Sequence, residues 1–352
     1  MPEGADSARP WHYPEAVSTP SHERRPLVWG FPAEQSVTRW ERRHSAGEVP
    51  SVWPYGLDGL CEHAPVAVLD LPAPGRVARL RSRAGVGPRP RAQSAFTWDE
   101  NAAFRMQVTT PFERFSSGVI WLTDMVERGA ETGRLVEVLR RAQTLWVLSE
   151  AQVEPLAALF GRGGPEVVAV PFGVDADFFA PQPYPHGPRI VSIGNDRDRD
   201  PQTLFRALAR VHERRPDAEL IVQTSATDAP DGVTVVQRMS HADLRDLYAT
   251  ASVVATATRP NLHVSGMTVT LEALATGRPV VNTDTPGMSQ YVADGRTGHL
   301  VPLGDDAAMA ERLIELLDDP ARAAAMGEAG RREVEARFTT REMCAHLARI
   351  VL

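Results

Sequence analysis

The sequence predicts an α/β protein made of two doubly wound parallel-sheet domains facing across a cleft. Three observations carry this. Short apolar runs such as Val253–Ala257 and Pro279–Asn282 alternate with helix-length segments. Runs apolar at every position are strands buried on both faces, as parallel sheets require. The chain has 352 residues, 43% of them hydrophobic, enough for two cores. The stretch Pro181-Gln-Pro-Tyr-Pro-His-Gly-Pro188 divides the pattern, because so many prolines can form neither a helix nor a central strand.

Residues 1–25 are polar and proline-rich and read as a loosely packed arm. Residues 26–180 form the expected N-terminal domain. Its candidate strands are Leu27–Trp29, Val66–Leu69, Gln93–Thr97, Gly118–Leu122, Leu145–Leu148 and Val167–Val170, and its candidate helices Arg134–Ala142 and Ala151–Phe160. Residues 181–188 are the linker. Residues 189–338 form the C-terminal domain, with strands Arg189–Ile193, Leu220–Gln223, Val233–Gln237, Val253–Ala257, Pro279–Asn282 and Gly298–Val301. Helices are expected at Pro201–Arg214, where Leu204, Ala207, Leu208 and Val211 share one face, and at Ala242–Ala251, Thr268–Thr276, Asp306–Leu317 and Ala321–Arg337. A last helix, Thr340–Leu352, is expected to pack back on the first domain.

The net charge of −7 argues against a broad nucleic-acid or anionic-membrane surface. No basic amphipathic patch is evident. All the basic residues are Arg, so a phosphate site would use Arg, backbone amides or helix N-termini. Cys61 and Cys344, far apart, build neither a disulfide framework nor a metal cluster. With no signal-peptide pattern and no long apolar run, the expected location is the cytoplasm.

Ligands of such sheets bind beyond the carboxyl ends of the strands. The first candidate is therefore Ser192-Ile-Gly-Asn-Asp-Arg-Asp-Arg-Asp-Pro201. Gly194 permits a close approach of backbone to ligand. Arg197 and Arg199 follow, suited to a diphosphate. The Asp196-x-Asp198-x-Asp200 spacing fails as a calcium loop, because Pro201 stands where Gly is needed and Ala207 where Glu is. Asp196-Arg-Asp198 also has the Asp-x-Asp form of metal-dependent sugar transferases, but three residues are a weak match, and no metal is expected. The second candidate is His263-Val-Ser-Gly-Met-Thr-Val-Thr-Leu-Glu272. Its turn opens a helix whose amides at Gly266, Met267, Thr268 and Val269 offer an anion site. Glu272, one turn in, can accept hydrogen bonds from ribose hydroxyls.

In order, these segments resemble the retaining glycosyltransferases of family 4 (glycosyl transferases group 1), which have the double Rossmann-like GT-B fold. The matching residues are Leu148-Ser-Glu150, Val170-Pro-Phe-Gly-Val-Asp-Ala-Asp-Phe-Phe179, Ile193-Gly194 with Arg199-Asp200, Leu271-Glu-Ala-Leu-Ala-Thr-Gly-Arg-Pro-Val-Val281, Pro286-Gly287 and Asp294-Gly-Arg-Thr-Gly-His-Leu-Val-Pro302. They cover residues 145–340 well and the first 140 poorly. Three departures stand out, one being that the Gly of the turn falls one position early, at Gly266. Val264 occupies the place of the first Glu of the family's Glu-x7-Glu motif, with His263 or Ser265 as partial replacements. Gln290 stands where relatives usually have Glu.

The resemblance implies a nucleotide-sugar donor in the C-terminal half, UDP-linked by preference, with the base near Arg238 and Met239. It implies retention of configuration without metal, cofactor or protein nucleophile. Arg197, Arg199 and the helix amides would stabilise the leaving diphosphate. On the acceptor side, Asp99 or Glu100 would face a small hydroxyl compound, such as a natural-product aglycone or cyclitol; Thr123-Asp124 is a weaker candidate of the same kind. Asp99 reads equally as a helix N-cap. A homodimer is compatible with the sequence. The competing readings are a non-catalytic sugar-nucleotide-binding relative, which Val264 suggests, and a nucleotide-sugar 2-epimerase.

Overall fold

The computed structural model describes residues 26–352 apart from Gly85 and Gly87. The expected N-terminal arm lies outside the described residues. The N-terminal domain runs β1 (Leu27–Pro32), α1 (Val37–Ser45), a 3-10 segment (Pro54–Glu62), β2 (Val66–Leu71), α2 (Arg76–Arg83), β3 (Arg91–Thr97), α3 (Glu100–Thr109), β4 (Phe112–Gly118), α4 (Leu122–Glu127), α5 (Gly133–Leu139), β5 (Thr144–Val147), α6 (Val153–Phe160) and β6 (Glu166–Ala169). The C-terminal domain runs β7 (Arg189–Ser192), α7 (Pro201–Arg214), β8 (Glu219–Gln223), β9 (Val233–Val236), α8 (His241–Thr250), β10 (Val253–Thr256), α9 (Met267–Ala275), β11 (Val280–Thr283), β12 (Gly298–Val301), α10 (Asp306–Asp318) and α11 (Pro320–Arg337). Helix α12 (Thr340–Val351) ends the chain.

Each domain holds one six-stranded sheet, paired in parallel throughout. The C-terminal order β12-β11-β10-β7-β8-β9 is doubly wound about the β7/β10 gap. The N-terminal order β2-β1-β3-β4-β5-β6 switches between β1 and β3. Crevices for ligands open at these switch points, beyond the strand ends. Strands β10 and β11 are buried at every position, so helices must cover both faces. On one side, α7 starts on an Asp200 cap with Pro201 at its first position and buries Leu204, Ala207, Leu208 and Val211.

The chain crosses between the domains twice. Residues 170–188 make the first crossing, and Arg278 ties the proline stretch down by donating to Pro183 O at 2.8 Å. The second is at Phe338–Thr340, where Val174 N donates to Phe338 O and Thr340 N to Val174 O, at 2.8 and 3.0 Å. Helix α12 then packs on the 3-10 segment, and the Cys344 thiol donates to Gly56 O at 3.3 Å.

Three differences from the sequence reading are instructive. The strand expected at Gly118–Leu122 ends at Gly118, and α4 begins at Leu122. The cause is Glu100, whose carboxylate accepts from Ile120 N at 2.9 Å and Trp121 N at 2.8 Å and so takes the amides a ladder would need. Helix α1 escaped detection because Val37 is its one buried residue, leaving no apolar period to see. Helix α2 differs in that its apolar residues face solvent rather than the core: Arg76, Val77, Arg79, Leu80 and Arg81 are exposed, so the basic amphipathic patch that the sequence reading did not expect is present.

Candidate functional site between the domains

The loops after β7 and β10 meet at the switch point of the C-terminal sheet. Arg199 N donates to Asp196 O at 3.0 Å and Asp200 N to Ala257 O at 2.9 Å, which fastens the β7 loop to the β10 loop. This turns the Arg199 guanidinium inward. A Cβ on Gly194 would lie 2.5 Å from Arg199 Nη2, and one on Gly266 2.7 Å from Nη1. Both glycines have positive φ, 121° and 98°. They are needed because the guanidinium fills the space a side chain would take. Arg199 Nε and Nη1 are buried and have no hydrogen-bond partner among the described residues. Burial holds the Arg199 pKa below its ordinary value despite the nearby Asp196, Tyr248 and Glu272. Thr256 Oγ1 and Thr258 Oγ1 are buried and unpartnered in the same region.

Helix α9 opens at Gly266 with no side chain capping it. Met267 N turns back to Val264 O at 3.1 Å, while Thr268 and Val269 present first-turn amides. One turn in, Glu272 is buried and accepts from the Tyr248 hydroxyl at 3.0 Å. Burial raises its pKa to about 7, against the pull of Tyr248 and Arg199. Glu272 and Thr268 line a cavity of about 130 Å³ whose other walls include Trp40, Tyr55 and His241. Arg238 is exposed and Met239 half-buried in the loop after β9. Burial first, then Arg43 and Arg238, lower the His241 pKa to about 4.

His263 meets Asp124, which the sequence offered only as a weaker acceptor-side candidate. Its Nδ1 lies 2.7 Å from Asp124 Oδ2 on α4, in the other domain. Its Nε2 lies 3.5 Å from Asp196 Oδ1. Burial alone would lower the His263 pKa, but the two carboxylates outweigh it and push it up to about 9. Ser265 donates to Asp196 Oδ1 at 2.7 Å. Asp198 is buried against Arg128 Nη2 at 2.7 Å and Arg197 Nε at 3.4 Å. Asp196, Asp198 and His263 thus gather with ligand-type atoms within 4.8 Å of one another. Those acidic groups are already matched by cations: His263 faces Asp124 and Asp196, and two arginines face Asp198.

The sequence reading put both Arg197 and Arg199 at the mouth of the sheet, facing a diphosphate. The structure separates them. Arg197 is half-exposed in the interdomain cleft beside Arg128 and Arg259, while Arg199 lies beneath. Val264, in the place of the expected Glu, has φ 53° and is fully buried, an uncommon backbone for a β-branched residue. Gln290 accepts from Glu150 N at 3.2 Å and joins the domains.

Asp99 caps α3, accepting from Asn101 N at 2.8 Å and Ala102 N at 3.0 Å. Burial raises its pKa. It also lines an N-terminal cavity of about 760 Å³ together with Arg79, Arg105 and Trp121. Glu100 is turned away and spent on the loop after β4. Asp124 was a weaker acceptor-side candidate and Arg128 was not named; the sequence could not show that their partners, His263 and Asp198, lie in the other domain.

Residues 187–319 match the glycosyl transferases group 1 family. A GDP-mannose-dependent monoacylated alpha-(1-6)-phosphatidylinositol monomannoside mannosyltransferase of Corynebacterium glutamicum is 36% identical over 42% of this chain and 42% of its own length. A D-inositol 3-phosphate glycosyltransferase of Kribbella flavida is 28% identical over 55% of this chain and 52% of its own. The chain thus spans about half the length of these relatives. Among solved structures, a sucrose-phosphate synthase from Thermosynechococcus elongatus superposes with a TM-score of 0.67 at 16% identity, over 93% of this chain and 98% of that one. Residues 187–319 thus match the glycosyl transferases group 1 family, and the chain as a whole has the two-domain GT-B fold.

Proposed function

We propose that the chain is a retaining, metal-independent glycosyltransferase. It moves a sugar from a nucleoside diphosphate in the C-terminal crevice to the hydroxyl of a small acceptor in the N-terminal cavity. The observation that carries this is Arg199: a buried guanidinium with two unpartnered nitrogens, beside the uncapped start of α9. A buried cation without partners is costly, so such a site is built for an anion. Thr256 and Thr258 add hydroxyls, and Glu272, on the wall of a cavity one turn into α9, is a carboxylate that could accept from ribose hydroxyls.

The bond from the anomeric carbon to the diphosphate breaks as the acceptor oxygen bonds on the same face. The acceptor proton passes to the departing diphosphate oxygen. Negative charge grows on that diphosphate, and Arg199 and the α9 amides answer it without rearranging. The cation-matched Asp196, Asp198 and His263 cluster supports chemistry without metal. The resemblance favours a UDP-sugar. The Corynebacterium relative is named for GDP-mannose, so both donors belong in the test.

That test is a thermal-shift panel with UDP, GDP, ADP and TDP on wild type, Arg199→Met and Glu272→Gln. Saturation at 100 times Kd adds roughly 2.7 kcal/mol. A shift with one nucleotide, lost in both variants, supports the reading. No shift with any nucleotide sinks it.

A further inference from the structure

We infer that the cavity between the proline stretch 181–188 and α11 binds a phosphorylated small molecule of sugar size. Among the described residues, buried guanidinium nitrogens without a hydrogen-bond partner occur on two arginines only, Arg199 and Arg278. Arg199 sits against Gly266 at the start of α9, in the crevice described above. Arg278 is fully buried and follows the end of α9, so about 14 Å of helix separates the two places.

The Arg278 guanidinium has partners, but none that is charged. Its Nε donates to Tyr248 O at 3.0 Å, and its Nη2 donates to Pro183 O and Ala249 O, both at 2.8 Å. No carboxylate among the described residues pairs with it, and Nη1 is left over. Burial lowers its pKa only to about 10, so it is a cation at neutral pH. A buried cation without a counter-charge is costly, and an anion supplies what is missing.

The surroundings say which anion. Arg278 forms part of the wall of a cavity of about 430 Å³, together with Arg331 and Arg332 of α11. Three guanidinium groups around one space suit a phosphoryl group. Glu328 is the one acidic residue of the lining; it and Arg332 are exposed, and neither makes an ion pair among the described residues. Arg331 is held in place, its Nη1 donating to Ala176 O, Phe179 O and Ala275 O. The opposite wall is apolar: Pro181, Pro183 and Tyr184, whose ring centroid lies 5.9 Å from Arg278 Cζ. Gly327 of α11 packs on the Gly277 carbonyl with no room for a side chain, which fixes the wall before a ligand arrives. Free phosphate would leave the Tyr184 wall bare, whereas a sugar phosphate covers both walls and bridges the interdomain linker to α11. The inference stands without the reaction proposed above.

The experiment is isothermal titration calorimetry of the full chain with ribose 5-phosphate, inorganic phosphate and ribose. Wild type is expected to bind ribose 5-phosphate saturably, inorganic phosphate more weakly and ribose not at all. Arg199→Met is expected to bind all three as wild type does, because its side chain belongs to the other crevice. Arg332→Gln is expected to lower the affinity for ribose 5-phosphate about fivefold, and Glu328→Gln to raise it by a similar factor. Both side chains are exposed, so the melting points of these two variants should match wild type. Arg278→Met should abolish binding; it also leaves three carbonyls without their donor, so the two exposed variants carry the test if it fails to fold. No saturable binding of ribose 5-phosphate by wild type overturns the inference, as does binding that Arg199→Met removes or that neither exposed variant alters. Inorganic phosphate binding as tightly as the ester overturns the sugar-sized ligand. Nucleotide titrations of the same samples report the donor crevice separately, so failure of one reading is not failure of the other.

Discussion

His263 and Asp124, 139 residues apart in sequence and in different domains, meet at 2.7 Å between Nδ1 and Oδ2. The pair spans the cleft, and Leu262 N adds a second bond to the same carboxylate at 2.8 Å. Together with Arg128 and Asp198 it holds the loops after β7 and β10 against α4.

The first prediction concerns this pair and pH. The folded pKa of His263 is raised to about 9, above its ordinary value. Its contribution is therefore fully present below pH ~6.5 and lost as pH rises through about 9. Asp124→Asn should cost roughly 2 kcal/mol at pH 6, as for a charged hydrogen bond, and distinctly less at pH 9.5. Urea melts of both proteins across that range check it; a penalty that does not change with pH contradicts it.

Arg199→Met should separate stability from binding. The guanidinium is buried with two unpartnered nitrogens, so an apolar side chain of similar length relieves a desolvation cost. The ligand-free melting point should hold or rise. Transfer activity should fall by about 2–4 kcal/mol of transition-state stabilisation. A clear loss of ligand-free stability would show that the arginine serves the fold instead.

Glu272→Gln tests the buried carboxyl. Its folded pKa of about 7 is raised by burial, so its favourable share is present at low pH and lost as pH rises through about 7. The Gln variant keeps a partner for Tyr248. It should match wild type near pH 5 and exceed its melting point above pH 7.5. Parallel melting curves at both pH values would refute the assignment.

Gly266→Ala should disturb two side chains of the site, Arg199 and Thr256. Its φ is 98°, and the new Cβ would meet Arg199 Nη1 at 2.7 Å and Thr256 Cγ2 at 2.6 Å. Strain and overpacking should cost about 1–3 kcal/mol, with nucleotide binding weakened as Arg199 shifts. Gly304→Ala is the control: φ is also positive, at 73°, but nothing lies within 4 Å. Equal losses in both would mean that backbone strain alone is at work.

Much of the C-terminal half was legible because its signals are local. Helix α7 runs from Pro201 to Arg214 as its apolar face and Asp200-Pro201 start require. Strands β10 and β11 are the apolar runs seen in the sequence, within a residue at each end. The N-terminal half was harder to read. Helices α1 and α2 bury too little to be recognised by a core-facing side, and Glu100 ends a strand by reaching 20 residues along the chain.

By itself the sequence determined the two-sheet architecture, the glycine-flanked turns and the identity of the groups at the strand ends. Periodicity, capping and φ preferences act over a few residues, so they can be read along the chain. Tertiary structure alone decided what those groups do. It drew Arg199 beneath the loop and left Arg197 in the cleft, paired His263 with Asp124, and gave Glu272 a pKa near neutral. It also left Val77 and Leu80 in solvent. Burial and charge pairing depend on which side chains distant parts of the chain bring within a few ångströms, and that is a property of the packed molecule.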